Sequence, residues 1–207
     1  MDVLIPWRRV WLHPRLAVRD AIDGRSPAIW AAPIAGGMVQ SMLQAATAQM
    51  GDRAPVSWIL GGTAVAGALW GVVQLHLLVA IIFVALRVTG RATAFGKLRA
   101  AMAIACAPLT AAWVGWLLMS LTVGAGLYGD PSALVAAIGS GASLQVLLLY
   151  LGTVICFVWA GFVQIVGLSE VLQVSLLKAF GTFVGAVVAV GLVIALAVII
   201  LAMVLIR

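Results

Sequence analysis

Apolar residues run almost unbroken from residue 27 to the end of the chain, interrupted at four places by short clusters of charged, Gly, Ser and Pro residues. The five apolar segments so marked lie near 27–49, 57–86, 100–123, 142–167 and 179–206. Each is long enough to cross a hydrocarbon core of about 30 Å, which takes about 20 helical residues. The stretch Ala133–Ile138 is too short for a sixth span. The pattern predicts an all-α polytopic membrane protein: a bundle of five transmembrane helices forming one domain over 27–207, preceded by a lead over 1–26. In the first segment Pro33, Gln40, Gln44 and Gln49 predict a polar stripe packed on other helices and turned away from lipid.

The lead has a different pattern. On a wheel of 100° per residue, Trp7, Val10, Trp11, Val18, Ala21 and Ile22 gather on one side, and Arg8, Arg15 and Arg19 on the other. That distribution suits a short amphipathic helix lying in the membrane interface. Pro14 interrupts a continuous helix but fits its first position, so a helix is expected to open there. The lead lacks the uninterrupted apolar core of a signal peptide.

Composition makes lipid the solvent for most of the chain: 65 % of the 207 residues are apolar, 9 % are charged, and mean hydropathy is +1.22. A soluble domain carries roughly 25 % charged residues. The net charge of +6 is read as orientation and headgroup contact, and nucleic acid is not an expected partner. Ten cations fall in the lead and in the second and fourth connections, whereas Arg53 and Arg207 alone fall on the other side. This split predicts a cytoplasmic N-terminus and an external C-terminus, as an odd number of spans requires.

Candidate chemistry is sparse. Gly124, Gly126 and Gly129 spell G-x-G-x-x-G without the surrounding strand and helix that a dinucleotide site needs. Gly139-Ser140-Gly141 falls short of an intramembrane serine-protease motif, because position 138 is Ile. Cys106 and Cys156 lie within apolar runs and are expected as buried thiols. No cofactor, metal or catalytic residue is expected. His76, flanked by Gln74, is the candidate intramembrane polar site, either as a functional group or as a helix-packing residue. Gly67 and Gly71, and again Gly181 and Gly185, form GxxxG pairs expected to pack against helices of the same chain, with homo-oligomerisation as the alternative. Glu170 and Lys178 either pair across the last turn or join Arg87, Arg91, Lys97 and Arg99 in a face that contacts anionic lipid or a protein partner.

Three pieces carry a resemblance to a known family. They are Trp11-Leu12-His13-Pro14-Arg15 with Arg19; Thr89-Gly90-Arg91 with Phe95-Gly96-Lys97-Leu98-Arg99-Ala100 leading to Pro108; and Val166-Gly167-Leu168-Ser169-Glu170. Together the chain resembles the bacterial branch of the Yip1 family. The resemblance implies a five-span protein of the bacterial inner membrane without enzymatic activity, acting as a scaffold or adaptor. The long N-terminal region and D-L-x-G-P motif of eukaryotic members are lacking, so their GTPase binding is not carried over. The alternative expectation is a small permease or lipid-handling protein working through a path lined by His76 and the intramembrane Gln residues.

Overall fold

A computed structural model describes residues 5–24, 27–91, 93–130 and 142–205. Among them no strand occurs. The lead forms α1 (Ile5–Leu12) and α2 (Pro14–Ile22), and α2 opens on Pro14. A short 3-10 turn, Pro27–Trp30, passes into α3 (Ala31–Thr47). There follow α4 (Val56–Val88), α5 (Phe95–Ala105), α6 (Pro108–Val123) with a 3-10 turn over Gly124–Tyr128, α7 (Ala142–Leu172) and α8 (Leu176–Leu205).

Three helical rods are long and apolar enough to span a membrane: Val56–Val88, Phe95–Tyr128 and Leu144–Leu172. The middle one is 50 % buried over its most apolar window, against 28 % for each of the others, so α5–α6 is the centre of the bundle. Trp58, Leu69, Val158 and Leu177 point outward from the helices around it, and Leu121 from the far end of the rod itself. A surface so rich in large apolar side chains suits association with a membrane.

The middle rod is not the continuous helix over 100–123 that hydropathy predicts. It starts earlier, at Phe95, and breaks at Cys106 and Ala107. Pro108 has no N–H to give to the Ile104 carbonyl, and the chain tightens around the gap. Ala107 N–H donates to Ile104 O at 3.0 Å, and Leu109 N–H donates to Cys106 O at 3.0 Å. A helical threonine ordinarily bonds the carbonyl four residues back. Just past the break, the buried Thr110 hydroxyl has no hydrogen-bond partner among the described residues.

The apolar interior divides at the same depth. One core gathers Val10, Val18, Leu75, Val79, Ile82, Leu86, Leu98, Met102, Ile104, Val163 and Leu168. The other gathers Val39, Met42, Ile59, Leu109, Trp116, Tyr128, Val146, Cys156 and Ala160. The second core holds a satisfied polar knot: Trp116 Nε1–H donates to Thr153 Oγ1 at 3.0 Å, and the Ser120 and Tyr128 hydroxyls share a bond at 2.6 Å.

Against α3, helix α4 packs through its glycines. A Cβ added at Gly67 would lie 2.6 Å from Met38 Cα, and one added at Gly71 would strike the Pro33 carbonyl. Gly37 of α3 faces both glycines, and a Cβ there would collide with their backbone. The expected packing therefore holds for this first GxxxG. It is corrected for the second, because Gly181 and Gly185 meet nothing within 4 Å. The polar stripe expected on α3 is also replaced. Its buried face is made of small residues over Ala32, Pro33, Ala35, Gly36 and Gly37 and of Val39 and Met42 beyond them, while Gln44 and Gln49 are exposed and Gln40 is half-buried.

Candidate functional site

One end of the bundle collects the basic residues singled out above. Helix α4 stops in a Schellman motif: Gly90 takes φ +75°, its N–H donates to Arg87 O at 3.1 Å, and Arg91 N–H donates to Leu86 O at 2.8 Å. Only a residue without Cβ enters the left-handed region at no steric cost, so Thr89-Gly90-Arg91 is first a helix stop. Its second effect is to turn Arg91 back toward α8. There the guanidinium donates to Thr182 Oγ1 at 3.4 Å, a long and weak bond.

The other cations have firmer neighbours or face outward. The Arg87 guanidinium lies 5.1 Å from the centroid of the Phe83 ring, and that of Arg99 lies 4.8 Å from a Trp30 ring. Such contacts are worth about 0.5–1 kcal/mol at exposed sites. Lys97, in the first turn of α5, and Lys178, in the first turn of α8, are exposed.

Among the described residues Glu170 does not pair with Lys178; its carboxylate is held by the lead. Arg19 Nε donates to it at 2.7 Å, and Arg15 Nε lies at 3.8 Å. Its side chain is 7 % exposed. The hydrogen bond and charge of Glu170 push the Arg19 guanidinium up from its ordinary value, so it stays charged throughout the usable pH range. The turn behind Glu170 is built to hold it. Gln173 takes φ 52°, its amide donates to Glu170 O at 2.6 Å, and Ser169 Oγ donates to Val174 O at 2.6 Å. Earlier in α7, Trp159 Nε1–H donates to Val10 O at 3.1 Å while its ring stacks on Trp11. The lead is thus fastened to α7 at two levels.

Between the two apolar cores, at the level of the break in the middle rod, lies a chamber of about 220 Å³. Gln40, Gln74 and Gln164 line it from three helices, together with Gly37, Gly71 and Cys106. Three carboxamides offer both donors and acceptors. Sequence singled out Gln74 here, but as a neighbour of His76. His76 itself is not among the lining residues: its Nδ1–H donates to Val72 O at 2.8 Å, and its ring stacks on Trp30 at 6.4 Å. Gln164 gave little signal of its own, since it stands alone among apolar residues and glycines over 154–168 of α7.

No group of three His, Cys, Asp or Glu residues able to hold a metal occurs among the described residues. Gly124 and Gly126 belong to a 3-10 turn after α6, which gives no strand-to-helix cradle for a dinucleotide. Gly139-Ser140-Gly141 and Ala133–Ile138 lie outside the described residues. Neither the family models, nor the curated proteins, nor the solved structures compared with the chain give a match.

Proposed function

We propose that the protein is a non-enzymatic scaffold or adaptor of the bacterial inner membrane, binding anionic lipid or a protein partner through a cytoplasmic basic face. In this reading all five apolar segments cross the bilayer. Helix α8 has 30 residues for the crossing, and α3, at 17, is extended by the turn before it. The Yip1 resemblance gives the same topology, with the N-terminus inside and the C-terminus outside.

The observation that carries the reading is the use of charge at the basic end. Glu170 is occupied by Arg15 and Arg19, while Lys97 and Lys178 stand exposed and Arg91 has one weak bond. Such a face attracts an anionic surface by about 1 kcal/mol per cation. The test is protein in nanodiscs, titrated with anionic lipid or with candidate partners across ionic strength. Neutralising Arg87, Arg91, Lys97 and Arg99 together should abolish a salt-sensitive association. Binding unchanged by salt and by the fourfold variant would refute the reading, as would a cytoplasmic C-terminus in reporter fusions.

The Gln40–Gln74–Gln164 chamber beside a broken helix favours a second reading, a small permease. Non-helical backbone within the membrane is tolerated where it is buried in protein or lines a cavity. Flux of a small polar solute into liposomes, lost in Gln74→Leu and Gln164→Leu, would replace the scaffold. Loss in His76→Gln as well would extend the path to the Trp30 side.

A further inference from the structure

Between α4 and α8 runs a groove of about 890 Å³, within the range of about 300–1,000 Å³ typical of ligand pockets. Its walls are Ala80, Ile81, Val84, Ala85 and Val88 on one side and Gly181, Gly185, Ala186, Ala189 and Val190 on the other. Its polar members are Thr89, Arg91 and Thr182, which share the basic end. We propose that this groove holds one anionic phospholipid, with an acyl chain along the glycine face of α8 and the phosphate on Arg91. The proposal deepens the lipid arm of the function proposed above and rests on its orientation.

Three observations fix the occupant. The first is length: from Val88 to Ala80 the groove descends about 12 Å at 1.5 Å per residue, close to the depth of one leaflet of a hydrocarbon core about 30 Å thick. The second is polarity, which is confined to the mouth and lies where a headgroup meets its tail. The third is charge. Arg91 makes no ion pair with a carboxylate among the described residues, its bond to Thr182 is long, and no acid lines the groove. Lys178 adds a second cation one turn from Thr182, whose hydroxyl donates to the Lys178 carbonyl. Two copies of this chain meeting groove to groove would set Arg91 and Lys178 against themselves, since a two-fold contact opposes each patch to its own kind.

The test uses the full chain in phosphatidylcholine bilayers containing a small fraction of phosphatidylglycerol with a photoreactive group midway along one acyl chain. Adducts are mapped by mass spectrometry. They should concentrate on Ala80–Val88 and Gly181–Val190, and fall about fivefold when the photoreactive lipid is phosphatidylcholine. Arg91→Gln should lower them by a similar factor. Gly185→Leu fills the groove without meeting protein, as nothing lies within 4 Å of its Cβ direction, and should remove most of them. Gly191→Leu, equally open but outside the groove lining, should leave them unchanged. Adducts spread evenly over the outward surface, equal labelling by the two lipids, indifference to Gly185→Leu, or a cross-linked dimer through α8 would each overturn the proposal. Failure of the groove is separable from failure of the basic face. In the first case Gly185→Leu is silent while salt-sensitive binding persists; in the second that binding is absent from the parent protein.

Discussion

Gly67 and Gly71 in α4 and Gly181 and Gly185 in α8 have the same spacing and opposite surroundings. The first pair is covered by Pro33, Gly37 and Met38, whose backbone comes so near that no Cβ fits. The second pair looks into an open groove. The difference lies in the facing helix and in the rotation of each helix about its axis. Helix α3 meets α4 with residues as small as α4's own, so two backbones pack together and gain dispersion contact along their length. Helix α8 turns Ala179 and Ala186 inward, and a wheel of 100° per residue carries Gly181 and Gly185 well round from them. Small residues permit close approach; the neighbouring side chains decide whether it happens.

This contrast is most exposed to Gly71→Ile. Overpacking commonly costs about 1–3 kcal/mol, and here the new side chain meets backbone, which cannot rotate away. We expect a loss at or above about 3 kcal/mol, seen as failure to survive extraction or as a large fall in melting temperature in detergent. A variant that melts like the parent would show that α3 and α4 are not in contact at this depth. Glu170→Leu should have a middling effect. It removes the carboxylate that holds Arg15 and Arg19, and although Glu170 is buried its two partners are more than half exposed and rehydrate readily. Limited proteolysis should then cut the lead faster while the helices from α3 onward stay protected; a uniform gain in cleavage would mean that Glu170 supports the whole bundle.

Smaller still is the expected effect of Gly185→Ile, within about 0.5 kcal/mol, as for substitutions away from packed features. Melting curves of Gly71→Ile and Gly185→Ile side by side measure the contrast directly. Equal losses would place an unseen partner, a second copy of this chain or a tightly held lipid, over α8. The least perturbing change is Trp159→Phe, which keeps an aromatic surface beside Trp11 and removes the bond to Val10 O. We expect a loss of about 1 kcal/mol or less, with faster hydrogen exchange in α1.

Much of this architecture was legible in the chain. The apolar runs foretold α4 and α7 to within a few residues at most of their ends, and Pro14 foretold the opening of α2. What escaped depended on contacts between distant segments. Pro108 was visible, but the tightened turn at Cys106 and Ala107 was hidden by apolar residues on both sides, because hydropathy does not register an interruption that adds no polar side chain. Gln40 and Gln74 were each noted for other reasons, and with Gln164 they converge only when three helices are assembled. The partner of Glu170 was sought eight residues away, at Lys178, and lies 151 residues away, at Arg19. For the GxxxG pairs, spacing alone could not distinguish a covered face from an open one.

The fastening of the lead to α7 also sets a timetable. Val10 and Trp159 are 149 residues apart, and Arg19 and Glu170 are 151 apart. At a synthesis rate of about 5–20 residues per second, the lead emerges roughly 8–30 s before the residues that receive it. During that interval Val10 and Arg19 lack the partners that α7 supplies, while the packing surface of α2 on α5 is already available. The lead is therefore made early and fastened to α7 late, and the two fastenings report that α7 has arrived.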